Sequence, residues 1–135
     1  MAKVLQSLGI RRGMVVSGSV GEQRMDELSI LGENTIAEFY QDRGFSTSTL
    51  NPADLLLKEA TLEDLAGGNA ETNAAITRSI LKGETKGPKR EAVLLNAGAA
   101  LFIASKADSI SSGMELAVSV IDEGLATSKL ATLTA

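Results

Sequence analysis

Neither cysteine nor histidine occurs among the 135 residues. That double absence removes disulfides, zinc sites of the usual ligand types, thiol and imidazole nucleophiles, and imidazole acid–base steps. Any chemistry must therefore come from carboxylates, hydroxyls, amides, Lys or Arg. Tryptophan is also missing, and only one Tyr and three Phe are present. A core so poor in rings has to be built from small aliphatic side chains, which suits helix against helix or helix against sheet. No apolar run nears the roughly 20 residues that span a bilayer. The opening MAKVLQSLGIRRG lacks the unbroken apolar stretch of a secretory signal. The expectation is a cytoplasmic chain with no membrane partner. A basic excess is lacking as well: 17 acidic side chains stand against 13 basic ones, net −4, with the basic ones scattered. That balance argues against a nucleic-acid surface. The nucleotide and hydrolase signatures G-x-x-x-x-G-K-[ST], G-x-G-x-x-G and G-x-S-x-G are absent.

The length fits a single domain, 1–135, able to bury a real core. Its first part, 1–60, reads as mixed strand and helix, and its second, 61–135, as helical. Residues 2–8 have the spacing of a short helix ended by Gly9. Met14, Val15 and Val16 form a brief apolar run between Gly13 and Ser17-Gly18-Ser19, the pattern of a strand buried on both faces in a parallel sheet. Residues 35–40 and 45–50 alternate in part around Asp42-Arg43-Gly44 and predict an antiparallel hairpin. Beyond Asn51-Pro52 the spacing is helical, with breaks at Gly67-Gly68, Gly83, Lys86-Gly87-Pro88 and Gly124. Asn51, Thr61, Asn69 and Asp108 or Ser109 are the expected N-caps. The helix expected over 90–107 is apolar around most of its circumference and should be largely buried. The fold class is thus α/β, a partial domain with a short buried strand and a hairpin, followed by a helical carboxyl-terminal half.

Between the strand and the hairpin lies GSVGEQRMDELSILGEN, polar and punctuated by Gly. Open α/β sheets place ligands at such carboxyl ends of strands. Adjacent Asp26 and Glu27 sit inside it. Neighbouring acids in a Gly-containing loop are most often simply solvated. The alternative is Mg²⁺, which takes hard oxygen ligands and is commonly held by one or two carboxylates plus substrate phosphates. Three other features have ordinary readings: Gly67-Gly68-Asn69 as a C-cap followed by an N-cap, Asn96 as a polar group bonded to neighbouring backbone, and Lys82, Lys86, Lys89 and Arg90 as a solvated basic corner.

Taken together, MDELSILGENTIAEF, LNPADL, GGNAETNAA, VLLNAGAAL and KADSISSGMELA resemble the carboxyl-terminal part of the anthranilate phosphoribosyltransferase family (glycosyltransferase family 3) of tryptophan biosynthesis. The resemblance implies transfer of phosphoribose from phosphoribosyl pyrophosphate to the amino group of anthranilate, with Mg²⁺ and release of pyrophosphate. It also implies that Asp26 and Glu27 are the magnesium ligands. No residue here is assigned to catalysis or to substrate contact. Family members are considerably longer, and their Gly-rich pyrophosphate loop and anthranilate-holding groups are not found in this sequence. Ser17 also stands where many relatives have His, and the loop from there to Asp26 is irregular. The expectation is a fragment, inactive by itself, that self-associates through an exposed sheet edge at residues 13–17. The competing expectation is a non-catalytic structural or interaction module on the same scaffold.

Overall fold

The computed structural model describes residues 1–41 and 44–133. The chain divides into two compact units, Met1–Glu59 and Ala60–Ala135.

The first unit opens with helix α1, Ala2–Ser7, after which Gly9 turns the chain at φ +85°. Four strands follow: β1 Arg12–Val20, β2 Gln23–Met25, β3 Asn34–Tyr40 and β4 Gly44–Leu50. They form one sheet in the order β2-β1-β3-β4, and every neighbouring pair is antiparallel. The α/β class and the β3–β4 hairpin are as the sequence predicts; Asp42 and Arg43 of its turn lie outside the described residues. The first strand differs from expectation. It runs for nine residues, is mostly half-buried, and lies antiparallel to β3. The apolar run Met14–Val16 is only its middle; the polar Ser17, Gly18 and Ser19 continue it because β2 folds back on them across Gly21, which turns at φ +56°. The stretch before Asp26 is therefore a hairpin rather than a loop. Gly13 faces Phe39, and a Cβ there would lie 2.6 Å from the ring. The missing side chain leaves room for Phe39, which is fully buried and joins Ala2, Leu28, Ile30 and Ile36 in the core of this unit. A 3-10 turn, Pro52–Leu55, capped by Asn51 as expected, ends the regular structure of the unit.

The second unit is helical: α2 Leu62–Leu65, α3 Ala70–Leu81, α4 Pro88–Ile103, α5 Ile110–Asp122 and α6 Leu125–Leu133. Thr61, Asn69 and Ser109 each accept a backbone N–H in the first turn that follows, satisfying donors that helix geometry leaves unpaired. Helix α4 starts two residues earlier than the spacing predicts, with Pro88 in its first turn, and stops at Ile103, where the chain goes on to Ser105 at φ +56°. Its burial is narrower than its composition suggests. Leu94, Leu95, Gly98 and Ala99 are buried, whereas Val93 and Ala100 on the opposite side are exposed. Leu94, Ala117 and Ile121 form the centre of the helical core, with Leu101, Met114 and Val118 against it.

Candidate functional site

Asp26 and Glu27 leave the end of β2 in irregular backbone, both exposed, and the next three residues, Leu28, Ser29 and Ile30, plunge into the core. Apolar burial thus anchors the segment immediately after the acids. Backbone bonds hold it further: Gly18 N–H donates to the Glu27 carbonyl at 2.9 Å, and Ser19 N–H donates to the Glu33 carbonyl at 3.0 Å. The approach between β1 and the loop is close enough to demand glycine. A Cβ on Gly18 would stand 2.5 Å from both Ser29 Cβ and Ser29 N.

Arg24, just before the pair, is also fixed. Its Nε donates to Ser17 Oγ at 3.1 Å, and its Nη2 donates to the Ser17 carbonyl and to Thr35 Oγ1, each at 2.9 Å. Register explains this: Ser17 pairs with Thr35 and Ser19 with Arg24, so these side chains share one face of the sheet. Ser17, polar at the end of the apolar run, is thus a partner of this arginine.

Among the described residues, neither Asp26 nor Glu27 has a side-chain hydrogen bond or ion pair. No group of three His, Cys, Asp or Glu that could hold a metal ion occurs among them either. The donor set consequently fits a hard divalent cation held by two carboxylates, the remainder of whose shell would be water or phosphate oxygen; it does not fit a cation caged by protein alone. Sequence reasoning picked out the acids and missed their supports. Gly18 acts through its close approach to Ser29 and Asn34, 11 and 16 residues along the chain, and no local motif marks it.

The other polar features belong to the helical unit. Asn69 caps α3, and the Asn73 amide closes Gly68 by accepting from its N–H at 2.8 Å and donating to its carbonyl at 3.0 Å. The Gly-Gly segment is therefore filled by its own helix. Asn96 donates to the Ala92 carbonyl at 3.0 Å, the backbone role expected of it. The basic corner is only partly solvated. Lys89 Nζ donates to the Asp64 carbonyl at 2.6 Å, and Arg90 is buried, its Nη2 donating to Asp122 Oδ1 at 2.9 Å. The Arg90 hydrogen bond holds the Asp122 carboxyl below its ordinary range, and the Thr61 backbone and hydroxyl hydrogen bonds do the same for Asp64.

Residues 1–127 match the family described as "Glycosyl transferase family, a/b domain". The anthranilate phosphoribosyltransferase of Syntrophotalea carbinolica is 48% identical over 130 residues, covering 96% of this chain and 36% of its own length. The crystal structure of the Thermus thermophilus anthranilate phosphoribosyltransferase superposes with a TM-score of 0.78 at 42% identity, covering 93% of this chain and 35% of that one. A variant of the Saccharomyces cerevisiae anthranilate phosphoribosyltransferase with Mg bound superposes with a TM-score of 0.73, covering 88% of this chain and 33% of that one. At 24% identity, that last likeness speaks for the fold alone. The chain spans about a third of the length of the relatives it matches.

Proposed function

The chain belongs to the glycosyl transferase family whose a/b domain it matches over residues 1–127, and on that premise we propose that it forms the magnesium-binding wall of an anthranilate phosphoribosyltransferase site. In this reading Asp26 and Glu27 would hold Mg²⁺, which would supply positive charge to the pyrophosphate of phosphoribosyl pyrophosphate. The anthranilate nitrogen forms a bond to C1 of the ribose, the C1–oxygen bond breaks, and pyrophosphate leaves with the bonding electrons while the amine gives up a proton to water. The metal, when bound, would offset the negative charge growing on the leaving group. The observation that carries the reading is the placement of two adjacent, exposed, unpartnered carboxylates on a loop anchored by buried residues on its downstream side. Arg24, tied to Ser17 and Thr35, keeps β2 against the sheet and so fixes the direction from which the acids emerge. A biosynthetic role of this kind, supplying tryptophan, belongs in the cytoplasm.

The same reading has the 135-residue chain inactive by itself, since two carboxylates leave most of a cation's shell unfilled and no anthranilate-holding group is identified. Purified chain supplied with Mg²⁺, phosphoribosyl pyrophosphate and anthranilate is expected to give no product above background. Turnover that disappears in the double variant Asp26→Ala, Glu27→Ala would refute inactivity and uphold the metal ligands. The alternative is a non-catalytic module on this scaffold, in which the two exposed acids are solvated surface charges. Under that alternative, Mg²⁺ binding is the same with and without the two substitutions.

A further inference from the structure

We infer that Asn34 is the positioning residue of the acidic loop: by closing the backbone behind Asp26 and Glu27 it sets where the two carboxylates meet a divalent cation. The inference rests on the magnesium reading above. Asn34 is wholly buried, at 0% exposure. A buried carboxamide is costly unless its polar atoms are bonded, and every bond this one makes goes to backbone. Its Oδ1 accepts from Ser29 N–H at 2.6 Å, and its Nδ2 donates to the carbonyls of Ser29 at 2.9 Å and of Gly32 and Leu50 at 3.2 Å. One side chain thus satisfies both main-chain groups of Ser29, as a neighbouring strand would, and links the loop to the end of β4.

The remaining ties complete the frame. Ser29 Oγ accepts from Leu31 N–H at 3.0 Å, and Ser19 Oγ donates to the Glu33 carbonyl at 2.8 Å. With Gly18 bonded to Glu27, the segment is fastened on both sides of buried Leu28, while Asp26 and Glu27 are exposed to water. Two carboxylates on a fastened rim do not have to order a loop when they bind, so the conformational cost of binding is reduced. No alternative residue of similar size does this. Leu would leave one N–H and three carbonyls without their partner, and Asp would oppose those carbonyls with oxygen. Asn34 acts through the backbone and would not itself be a ligand, because its Oδ1 is taken by Ser29 N–H.

The experiment is a titration of the whole chain with Mn²⁺ and inorganic pyrophosphate, read as paramagnetic broadening of the amide signals of residues 26–28. Wild type, Asn34→Asp, Asn34→Ala and the double variant Asp26→Asn, Glu27→Gln are compared. The Asn34 variants are expected to need about tenfold more Mn²⁺ for half-broadening, the scale seen when groups that orient ligands are removed, with β1–β3 amide shifts unchanged. The double variant should lose local broadening altogether. A folded Asn34→Asp that broadens like wild type, while the double variant does not, overturns the inference and leaves the magnesium reading standing. Broadening indifferent to the double variant overturns the magnesium reading and the inference with it. Should the Asn34 variants fail to fold, amide exchange in the unaltered chain decides. The Ser29 N–H is expected to be protected like the β1–β3 amides, and exchange at the rate of an unbonded surface amide overturns the inference.

Discussion

Arg90 and Asp122 form an ion pair whose halves differ in burial: the arginine side chain is 7% exposed and the aspartate 49%. Arg90 Nη1 is itself buried without a hydrogen-bond partner, so the charge depends on the one bond that Nη2 makes to Asp122. That bond holds the Asp122 carboxyl below its ordinary range, as the Thr61 hydrogen bonds hold Asp64. An acid whose folded pKa is depressed stabilises the fold above its unfolded pKa, roughly 4, and this contribution is lost as pH falls through the folded value. Asp122→Asn is therefore expected to lower the thermal midpoint at pH 7, with the gap to wild type narrowing as pH drops below about 4. Thermal melts of both proteins across that range check this, and a gap that stays constant down to acid pH rejects it. None of this was legible beforehand. Arg90 stands in a run with Lys86 and Lys89 that reads as a solvated corner, and only the return of α5, 32 residues later, covers it. The adjacency of Asp26 and Glu27 in a polar segment is a local pattern and is read directly from the sequence, whereas the magnesium role proposed for them comes from the family resemblance. Asn34 was not legible, since one of its partners is Leu50, 16 residues on.

Helix α4 and helix α5 meet at two glycines, and there the backbone of one lies against the backbone of the other. A Cβ on Gly98 would come within 2.7 Å of Met114 Cγ and N and 2.9 Å of the Ile110 carbonyl; a Cβ on Gly113 would collide with the Gly98 carbonyl. Because the obstructing atoms are largely main chain, no rotamer change relieves the overlap and the helices have to move apart. Gly113→Ala is expected to destabilise the chain by about 1–3 kcal/mol, the range for overpacking a close contact, although Ala is the better helix former. Urea unfolding measures this, and a variant as stable as wild type would mean that the helices do not touch here. The small-residue composition foretold such an approach between elements. Caps were equally readable, because Asn51, Thr61, Asn69 and Ser109 each bond within three residues of themselves. The neighbours of β1 were not. Met14-Val15-Val16 looks the same whether the adjoining strand runs parallel or antiparallel, and the pairing is settled by β3, whose residues lie about 20 positions further along.

Across the first unit, β1 is paired unequally on its two sides. β3 accompanies it from Arg12 to Gly18, whereas β2 reaches only Gly18, Ser19 and Val20. Gln41 N–H donates to the Arg11 carbonyl, which makes 11, 13, 15 and 17 the residues bonded toward β3. Met14 and Val16 consequently direct their N–H and C=O to the other side, where no described strand pairs with them. An unpaired row beside half-buried apolar side chains is a template for another strand. The occupant we propose is the same edge of a second copy, since an antiparallel strand can pair with itself across a two-fold axis without any change of sequence. Sedimentation velocity over a series of concentrations should then show a monomer giving way to a larger species. Met14→Lys, which sets a charge on the edge and leaves pairing to β3 in place, should shift that transition to higher concentration. A chain that sediments as a monomer throughout the series would show this edge to be closed by means other than self-pairing. An association that Met14→Lys leaves unchanged would place the contact on β4 or on the helical unit instead.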